Sequence, residues 1–184
     1  MEDQHPAVTL EYILLGLLKD NPEHGYALYE KVQKTPELSL IWQVKRSKLY
    51  YLLDKLAGEG LLSSSIRAQE GYPDRKIYQL TPEGRHAFND WLISPVLSGR
   101  HVRISFLSKL YFALQQKGDS ALKLIGAQQR TCQGWLANLQ GEQNGVERDD
   151  FISRQVYQFR IGQINATLSW LEECRDEVLI KSKR

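Results

Sequence analysis

The amino-acid sequence predicts a mainly α-helical protein that carries one short β-hairpin. Along most of the chain, apolar residues recur every three or four positions, which is the spacing of one face of an α-helix. The period changes only between Leu61 and Leu80, where two runs suited to β-strands flank the turn-forming string QEGYPD. No apolar run approaches the roughly 20 residues that a membrane-spanning helix needs. We therefore expect no membrane segment and no membrane partner.

The composition indicates a globular protein of a reducing compartment. The 184 residues are 42% hydrophobic and 25% charged, which excludes a disordered chain, and the formal charge of +2 is too small to indicate a nucleic-acid partner by itself. Two cysteines, Cys132 and Cys174, form no disulfide framework. The N-terminal string MEDQHP is acidic where a signal peptide would be basic. A cytoplasmic location follows as an expectation.

The first 60 residues predict three helices. The first has an apolar stripe of Leu10, Ile13, Leu14, Leu17 and Leu18 and ends at Asn21 and Pro22; the second runs from Gly25 to about Thr35. The third runs from about Arg46 to Ala57, and glycines 58 and 60 end it.

A hairpin of residues 61–68 and 75–80 follows, and then Thr81, Pro82 and Glu83 supply a helix N-cap, a first-turn proline and a first-turn acid. These elements predict a complete small unit that ends near residue 85.

The remainder of the chain predicts helices over residues 82–93, 102–116, 120–139 and 148–181. The last helix has apolar residues along two stripes and a length of about 50 Å at 1.5 Å per residue. A protomer this small cannot cover both stripes, so the helix predicts a homodimer. Four residues of one stripe are the predicted interface: Ile161, Ile164, Leu168 and Leu171.

Charge is distributed unevenly between the first helices and the third. Residues 1–40 have three basic and seven acidic side chains, whereas residues 41–80 have seven basic and four acidic ones. The predicted outward face of the third helix carries cations, a hydroxyl and aromatic rings, which contact phosphates and base edges in DNA-binding proteins. Its members are Ser47, Lys48, Tyr51 and Lys55, with Tyr50 at its border.

The positions of Lys45, Arg46 and Lys48 favour an anionic partner. The positive end of the helix dipole disfavours cations at a helix N-terminus by a few tenths of a kcal/mol each. The recognition helix of a helix-turn-helix protein meets DNA at this end, in the major groove. An ordinary solvated basic face is the alternative explanation for the same residues.

Four strings together resemble the PadR family of winged-helix transcriptional regulators: LLGLL (14–18), HGYAL (24–28), LYYLLDKLAGEGLL (49–62) and RKIYQLTPEGR (75–85). Two later strings, NDWLISP (89–95) and VRISFLSKL (102–110), are similar to its virulence-activator branch, which has a long helical C-terminal domain. The resemblance implies a winged helix-turn-helix domain over 1–85 and a C-terminal helical dimerisation domain over 86–184.

The same resemblance implies a homodimer that binds double-stranded DNA at a pseudo-palindromic operator. We expect a repressor rather than an activator. The third helix would enter the major groove, and Tyr50, Arg75, Lys76 and Tyr78 match family positions at the DNA contact. One departure concerns Lys45 and Arg46, which stand where many members have Ser-Pro. The operator sequence is therefore not predicted.

Two further expectations concern ligands and partners. Trp91, Trp135 and Trp170 could line a pocket for a small aromatic or drug-like effector, and packing within the core or the dimer is the alternative for them. The four histidines lack metal-ligand spacing and no enzyme motif is present, so we expect no metal, no cofactor and no catalysis. A winged-helix module that binds an acidic protein surface is the alternative to DNA binding.

Overall fold

The computed structural model describes residues 6–69, 72–147 and 150–181, and the expected mainly helical winged helix-turn-helix fold is confirmed. The first part of the chain contains α1 (Pro6–Leu17), β1 (Glu23–His24), α2 (Gly25–Lys34), α3 (Pro36–Ile41), α4 (Arg46–Gly58), β2 (Leu62–Gln69), β3 (Tyr72–Leu80) and α5 (Pro82–Ile93). A 3-10 turn (Gly99–His101) and a π-helical turn (Val102–Phe106) then lead to α6 (Leu107–Ala113), α7 (Ser120–Gln143) and α8 (Phe151–Lys181).

Two short elements of the first part were not predicted. The α3 helix has six residues and begins with Pro36 at its first position, where proline is favoured. The β1 strand has two residues and depends on β3, because Glu23 pairs with Tyr78 and His24 with Ile77. Neither element is long enough to show a period. The α1 helix also ends earlier than expected, at Leu17.

The predicted hairpin forms the centre of a small antiparallel sheet with strand order β1-β3-β2. Its register pairs Leu62 with Leu80 and Ser64 with Tyr78. An irregularity lies between Arg67 and Gln69, and residues 70 and 71 of the predicted tip lie outside the described part of the chain. Because β3 is the central strand, its position determines that of the whole sheet.

The α1 helix packs against α4, α5, α6 and the π-helical turn. Four residues of its predicted stripe are buried, but Leu17 is only partly buried, and Leu15 is fully buried instead. A one-sided stripe is therefore wrong for this helix, since neighbours cover it on more than one side.

The α5 helix joins the winged helix to the C-terminal helices. The ring of its Trp91 stacks on Tyr12 with centroids 5.0 Å apart, and its Phe88 meets Phe112 of α6 edge to face. Buried residues of both parts of the chain form one hydrophobic cluster. The division into domains at residues 85 and 86 stays a prediction.

The α7 and α8 helices pack against each other along the C-terminal part. Gln128 of α7 is fully buried, where its side chain accepts a hydrogen bond from the amide of Val96 and donates one to its carbonyl. Leu122 and Leu136 of α7 are only partly buried. No helix in the described ranges has the length and apolar character needed to cross a membrane.

Candidate nucleic-acid interface

The N-terminus of α4 combines exposed cations with free helix amides. Lys45 is the N-cap residue, and no side-chain hydrogen bond caps this end of the helix. Lys45, Arg46, Ser47 and Lys48 are all exposed. Uncapped first-turn amides and the helix dipole favour an anion, so this end of α4 is suited to a phosphate group.

Aromatic rings hold two of these cations in place. The Arg46 guanidinium lies 5.1 Å from the ring centroid of Tyr26 and 5.3 Å from that of Tyr29, both on α2. The Lys48 ammonium lies 4.8 Å from the ring centroid of Tyr51, which is 60% exposed. These cation–π contacts leave the charges on the surface while limiting their positions.

The start of α2 is shaped to receive Tyr50 of α4. A Cβ atom at Gly25 would lie 2.6 Å from Cε1 of Tyr50, so only glycine permits this approach without movement of the ring. The preceding His24 caps α2, because its Nδ1 accepts a hydrogen bond of 3.0 Å from the amide of Ala27. The HGY string therefore has a structural role here, and Tyr50 remains 36% exposed beside the helix that it contacts.

Lys55, a predicted member of the DNA-facing surface of α4, is paired with two carboxylates. Its Nζ lies 2.7 Å from Oε1 of Glu11 and 3.6 Å from Oε1 of Glu59. The hydrogen bond from Lys55 to Glu11 raises the pKa of the lysine. Glu11 is 44 positions away in the chain, so the helical period of α4 could not reveal this pairing.

Tyr78 of β3 differs from its predicted role at the DNA contact, and the nearby Lys76 is paired with an acid of α4. Lys76 donates a hydrogen bond of 2.8 Å to Oδ1 of Asp54, and the Tyr78 hydroxyl donates one of 2.9 Å to the same atom. Tyr78 is 2% exposed, so its ring belongs to the core. The hydrogen bonds from Lys76 and Tyr78 lower the pKa of Asp54, and burial raises that of Tyr78.

Arg75 is exposed, as expected, and the structure adds Arg67 to it. The two arginines face each other across β2 and β3. Like charges at directly opposite positions destabilise a sheet, which an anionic partner would offset. The strand register shows that Arg67 is the cross-strand neighbour of Arg75, and the sequence alone could not supply that register. Nη1 of Arg75 also lies 3.4 Å from Nε2 of His24.

Among the described residues of α4, its N-cap and the hairpin, five exposed cations therefore have no carboxylate within 4 Å, and we call this surface the basic face. It consists of Lys45, Arg46, Lys48, Arg67 and Arg75. The exposed residues Ser47, Tyr50 and Tyr51 accompany them on α4.

The three predicted pocket tryptophans do not form one site. Trp135 and Trp170 line a groove of about 1210 Å³ between residues 97–107, α7 and α8. Trp91 is 5% exposed and lies in the core, where its ring stacks on Tyr12 and the ammonium of Lys109 lies 5.1 Å from a ring centroid. The prediction of one pocket lined by all three tryptophans is therefore wrong, because Trp91 is enclosed by α1 and α6.

The predicted dimer residues lie largely against the protomer itself. Leu171 is fully buried, and Ile164 and Leu168 pack on the core cluster; Ile161 is partly buried. The most exposed apolar side chains of α8 lie instead in its first three turns and at its last turn: Phe151, Ile152, Val156, Phe159 and Ile180. Among residues 6–69, 72–147 and 150–181, no group of three or more metal-ligating side chains could hold a metal ion.

A winged helix with cations on its third long helix and on its hairpin defines a class, the winged-helix DNA-binding proteins. Within this class the chain belongs to the PadR-like family of transcriptional regulators. The model of that family matches residues 14–90, and the model described as "Virulence activator alpha C-term" matches residues 102–178.

Two curated proteins and a solved structure illustrate the relationship. The negative transcriptional regulator PadR of Bacillus subtilis (strain 168) is 32% identical over 133 residues, which cover 72% of each chain. The probable transcriptional regulator Rv1176c of Mycobacterium tuberculosis is 24% identical over 120 residues, 65% of this chain and 60% of that protein. The crystal structure of Bacillus subtilis PadR with operator DNA covers 90% of this chain and 97% of its own, with 27% identity and a TM-score of 0.46.

Proposed function

We propose that this chain is a sequence-specific DNA-binding regulator that acts in the cytoplasm as a homodimer on a pseudo-palindromic operator. The observation that carries this proposal is the basic face, whose cations have no carboxylate partner among the described side chains and lie on both the start of α4 and the hairpin. Cations at an uncapped helix end suit phosphates, and exposed Ser47, Tyr50 and Tyr51 suit base edges. The curated relative with 32% identity is a negative regulator, which favours repression as the action of this chain.

A protein-binding module has less support than DNA binding. Asp54 of α4 and Glu59, which directly follows this helix, give it a mixed charge that would suit a protein surface. Asp54 is hydrogen-bonded to Lys76, and Glu59 lies within 3.6 Å of Lys55. Pairing neutralises these acids, so the unpaired charge of this surface is cationic and favours a polyanion.

The first test is selection of sheared genomic fragments by the purified chain at about 0.15 M salt, where phosphate contacts still contribute strongly. We expect one inverted repeat to be enriched by the wild type and not by a variant with Lys45→Ala, Arg46→Ala and Lys48→Ala together. A control with Lys117→Ala, Lys123→Ala and Lys181→Ala removes the same charge from exposed positions of the C-terminal part. Equal enrichment by all three proteins would contradict recognition by α4.

The proposed dimer contact lies on the exposed N-terminal half of α8. Phe159 is 67% exposed and Ile152 is 68% exposed, an apolar area that a partner chain would cover. This half of α8 carries the cations Arg154 and Arg160, whereas the C-terminal half has four acids and two cations. An antiparallel pair of α8 helices would therefore bring opposite charges together. The acids of the C-terminal half are Glu172, Glu173, Asp176 and Glu177.

A Phe159→Asp variant is expected to be monomeric at concentrations where the wild type is dimeric. The aspartate would place an unpaired charge in an apolar interface, at a cost of several kcal/mol. Sedimentation velocity measures the outcome, with Leu40→Asp as the control because Leu40 is 82% exposed on α3. Dimers that persist in the Phe159→Asp variant would place the interface elsewhere.

We also propose that the groove between α7 and α8 takes a small aromatic effector. Trp135, Phe159 and Trp170 supply aromatic walls, and Arg100, Arg103 and Arg160 supply charge for an acidic group. Bacillus subtilis PadR has been crystallised with p-coumaric acid, an aromatic acid. Adding this compound to the fragment selection tests the idea. Unchanged enrichment together with unchanged tryptophan fluorescence would exclude this ligand.

A further inference from the structure

We infer that Asp54 is a positioning and specificity-determining residue of the winged helix, which fixes the hairpin on α4 and withholds Lys76 from DNA phosphates. This inference rests on the proposed DNA-binding function and assigns a role to an acid on the surface that faces DNA. It also separates Lys76 from the five cations of the basic face.

The contacts of Asp54 join two elements that would bind different parts of an operator. Its Oδ1 accepts hydrogen bonds from Nζ of Lys76 and from the hydroxyl of Tyr78. Among the described side chains, these are the hydrogen bonds that link α4 to β3. Tyr78 is buried, whereas the Asp54 side chain is 59% exposed. One end of the link is therefore fixed in the core, and the other lies at the surface.

The hydrogen bonds between Asp54 and β3 affect the position of the whole sheet. β3 is the central strand, so it carries Arg75 directly and Arg67 through its pairing with β2. It also pairs with Glu23 and His24, which precede α2. A fixed angle between β3 and α4 thus fixes the distances between the wing cations and the α4 cations. The distances between these cations matter for binding to an operator of one sequence, and they matter much less for binding to random DNA.

Stability alone does not account for an acid at this position. An exposed ion pair contributes only about 0–1 kcal/mol, and a carboxylate beside DNA would repel the phosphates. Asparagine could still accept the hydrogen bond from Tyr78 without the negative charge. The negative charge of Asp54 has an effect that asparagine would lack. By pairing with Lys76, it removes one cation from those that bind the phosphates of any DNA duplex, whatever its sequence.

The test measures the salt dependence of binding to the selected operator and to a duplex of scrambled sequence. We expect Asp54→Asn to bind the scrambled duplex several-fold more tightly and to steepen the slope of log K against log[salt] by about one. Operator affinity should not gain as much, so the ratio of operator to scrambled binding falls. In the double variant Asp54→Asn with Lys76→Met, the slope should return to the wild-type value.

Glu59→Gln serves as the matched control, since it removes one negative charge just after α4 and leaves the Asp54–Lys76 pair intact. An equal change of slope in this control would overturn the inference, because it would reflect net charge alone. If the wild type binds the duplexes but the slope is unchanged in Asp54→Asn, the inference about Asp54 is overturned, whereas the proposed DNA-binding function is not. Absence of duplex binding by the wild type would overturn both.

Discussion

Lys109→Met is expected to raise the free energy of unfolding by about 2 kcal/mol near pH 7. Lys109 is a fully buried residue of α6 without a carboxylate partner among the described residues, and burial lowers its pKa to about 7. A shift from 10.5 corresponds to a cost on the order of 4–5 kcal/mol for holding the charge in the folded protein. The variant loses hydrogen bonds of 2.7 and 2.9 Å to Ser94, which offsets part of the gain.

The pH dependence provides the sharper measurement. Above about pH 7 the unfolded chain holds a proton at Lys109 that the folded protein lacks, so the stability of the wild type rises with pH by up to about 1.4 kcal/mol per unit. Below pH 7 both states are protonated at this residue, and its contribution to the slope disappears. Lys109→Met should lack the rise.

Urea unfolding at constant protein concentration between about pH 6 and pH 9 measures this difference. Lys123→Met is the control, since its side chain is 67% exposed on α7. Equal pH slopes in the wild type and Lys109→Met would mean that Lys109 stays charged in the folded protein. Its contacts with Ser94 and Trp91 would then compensate for burial.

Gly84→Ala is expected to destabilise the protein by about 3 kcal/mol or more. A Cβ atom at Gly84 would lie 2.1 Å from the carbonyl oxygen of Leu61, which is backbone and cannot rotate away. The Leu61 segment is also held in place, because the hydroxyl of Thr81 lies 2.8 Å from the carbonyl oxygen of Gly60 and 3.0 Å from that of Leu61. The clash therefore separates the start of α5 from the end of α4.

Thermal unfolding measures this effect, with Gly134→Ala as the control. Gly134 lies inside α7, where an added Cβ atom would meet nothing within 4 Å. That substitution should be neutral or stabilise the protein by up to about 1 kcal/mol, since alanine is the better helix former. A Gly84→Ala protein with the wild-type melting temperature would show that the turn before β2 can move.

Local patterns predicted much of the fold correctly. The strings Gly25–Lys34 and Arg46–Gly58 were expected as helices because their apolar residues repeat with the helical period and glycine or proline marks their ends. Thr81 and Pro82 predicted the first turn of α5, where the Thr81 hydroxyl accepts a hydrogen bond from the amide of Gly84. Each of these signals acts over about four residues, so the sequence contains it completely.

The basic face was predicted only in part, because the pairing of its neighbouring cations depends on contacts between residues that are distant in the chain. The sequence shows which residues carry charge, and it placed Lys45, Arg46 and Lys48 correctly on the exposed start of α4. It could not show that Lys55 meets Glu11, or that Lys76 meets Asp54 across 22 positions. These contacts form when separate elements pack.

The C-terminal tryptophans follow the same rule. Trp91, Trp135 and Trp170 are equally apolar in sequence, but α1 and α6 enclose the first while the other two line an open groove. The sequence by itself determined the helices, the hairpin and the region of positive charge, because periodicity and capping depend on near neighbours. Tertiary structure decided which cations stay unpaired and which rings stay exposed, because partners distant in the chain neutralise a charge or bury a side chain.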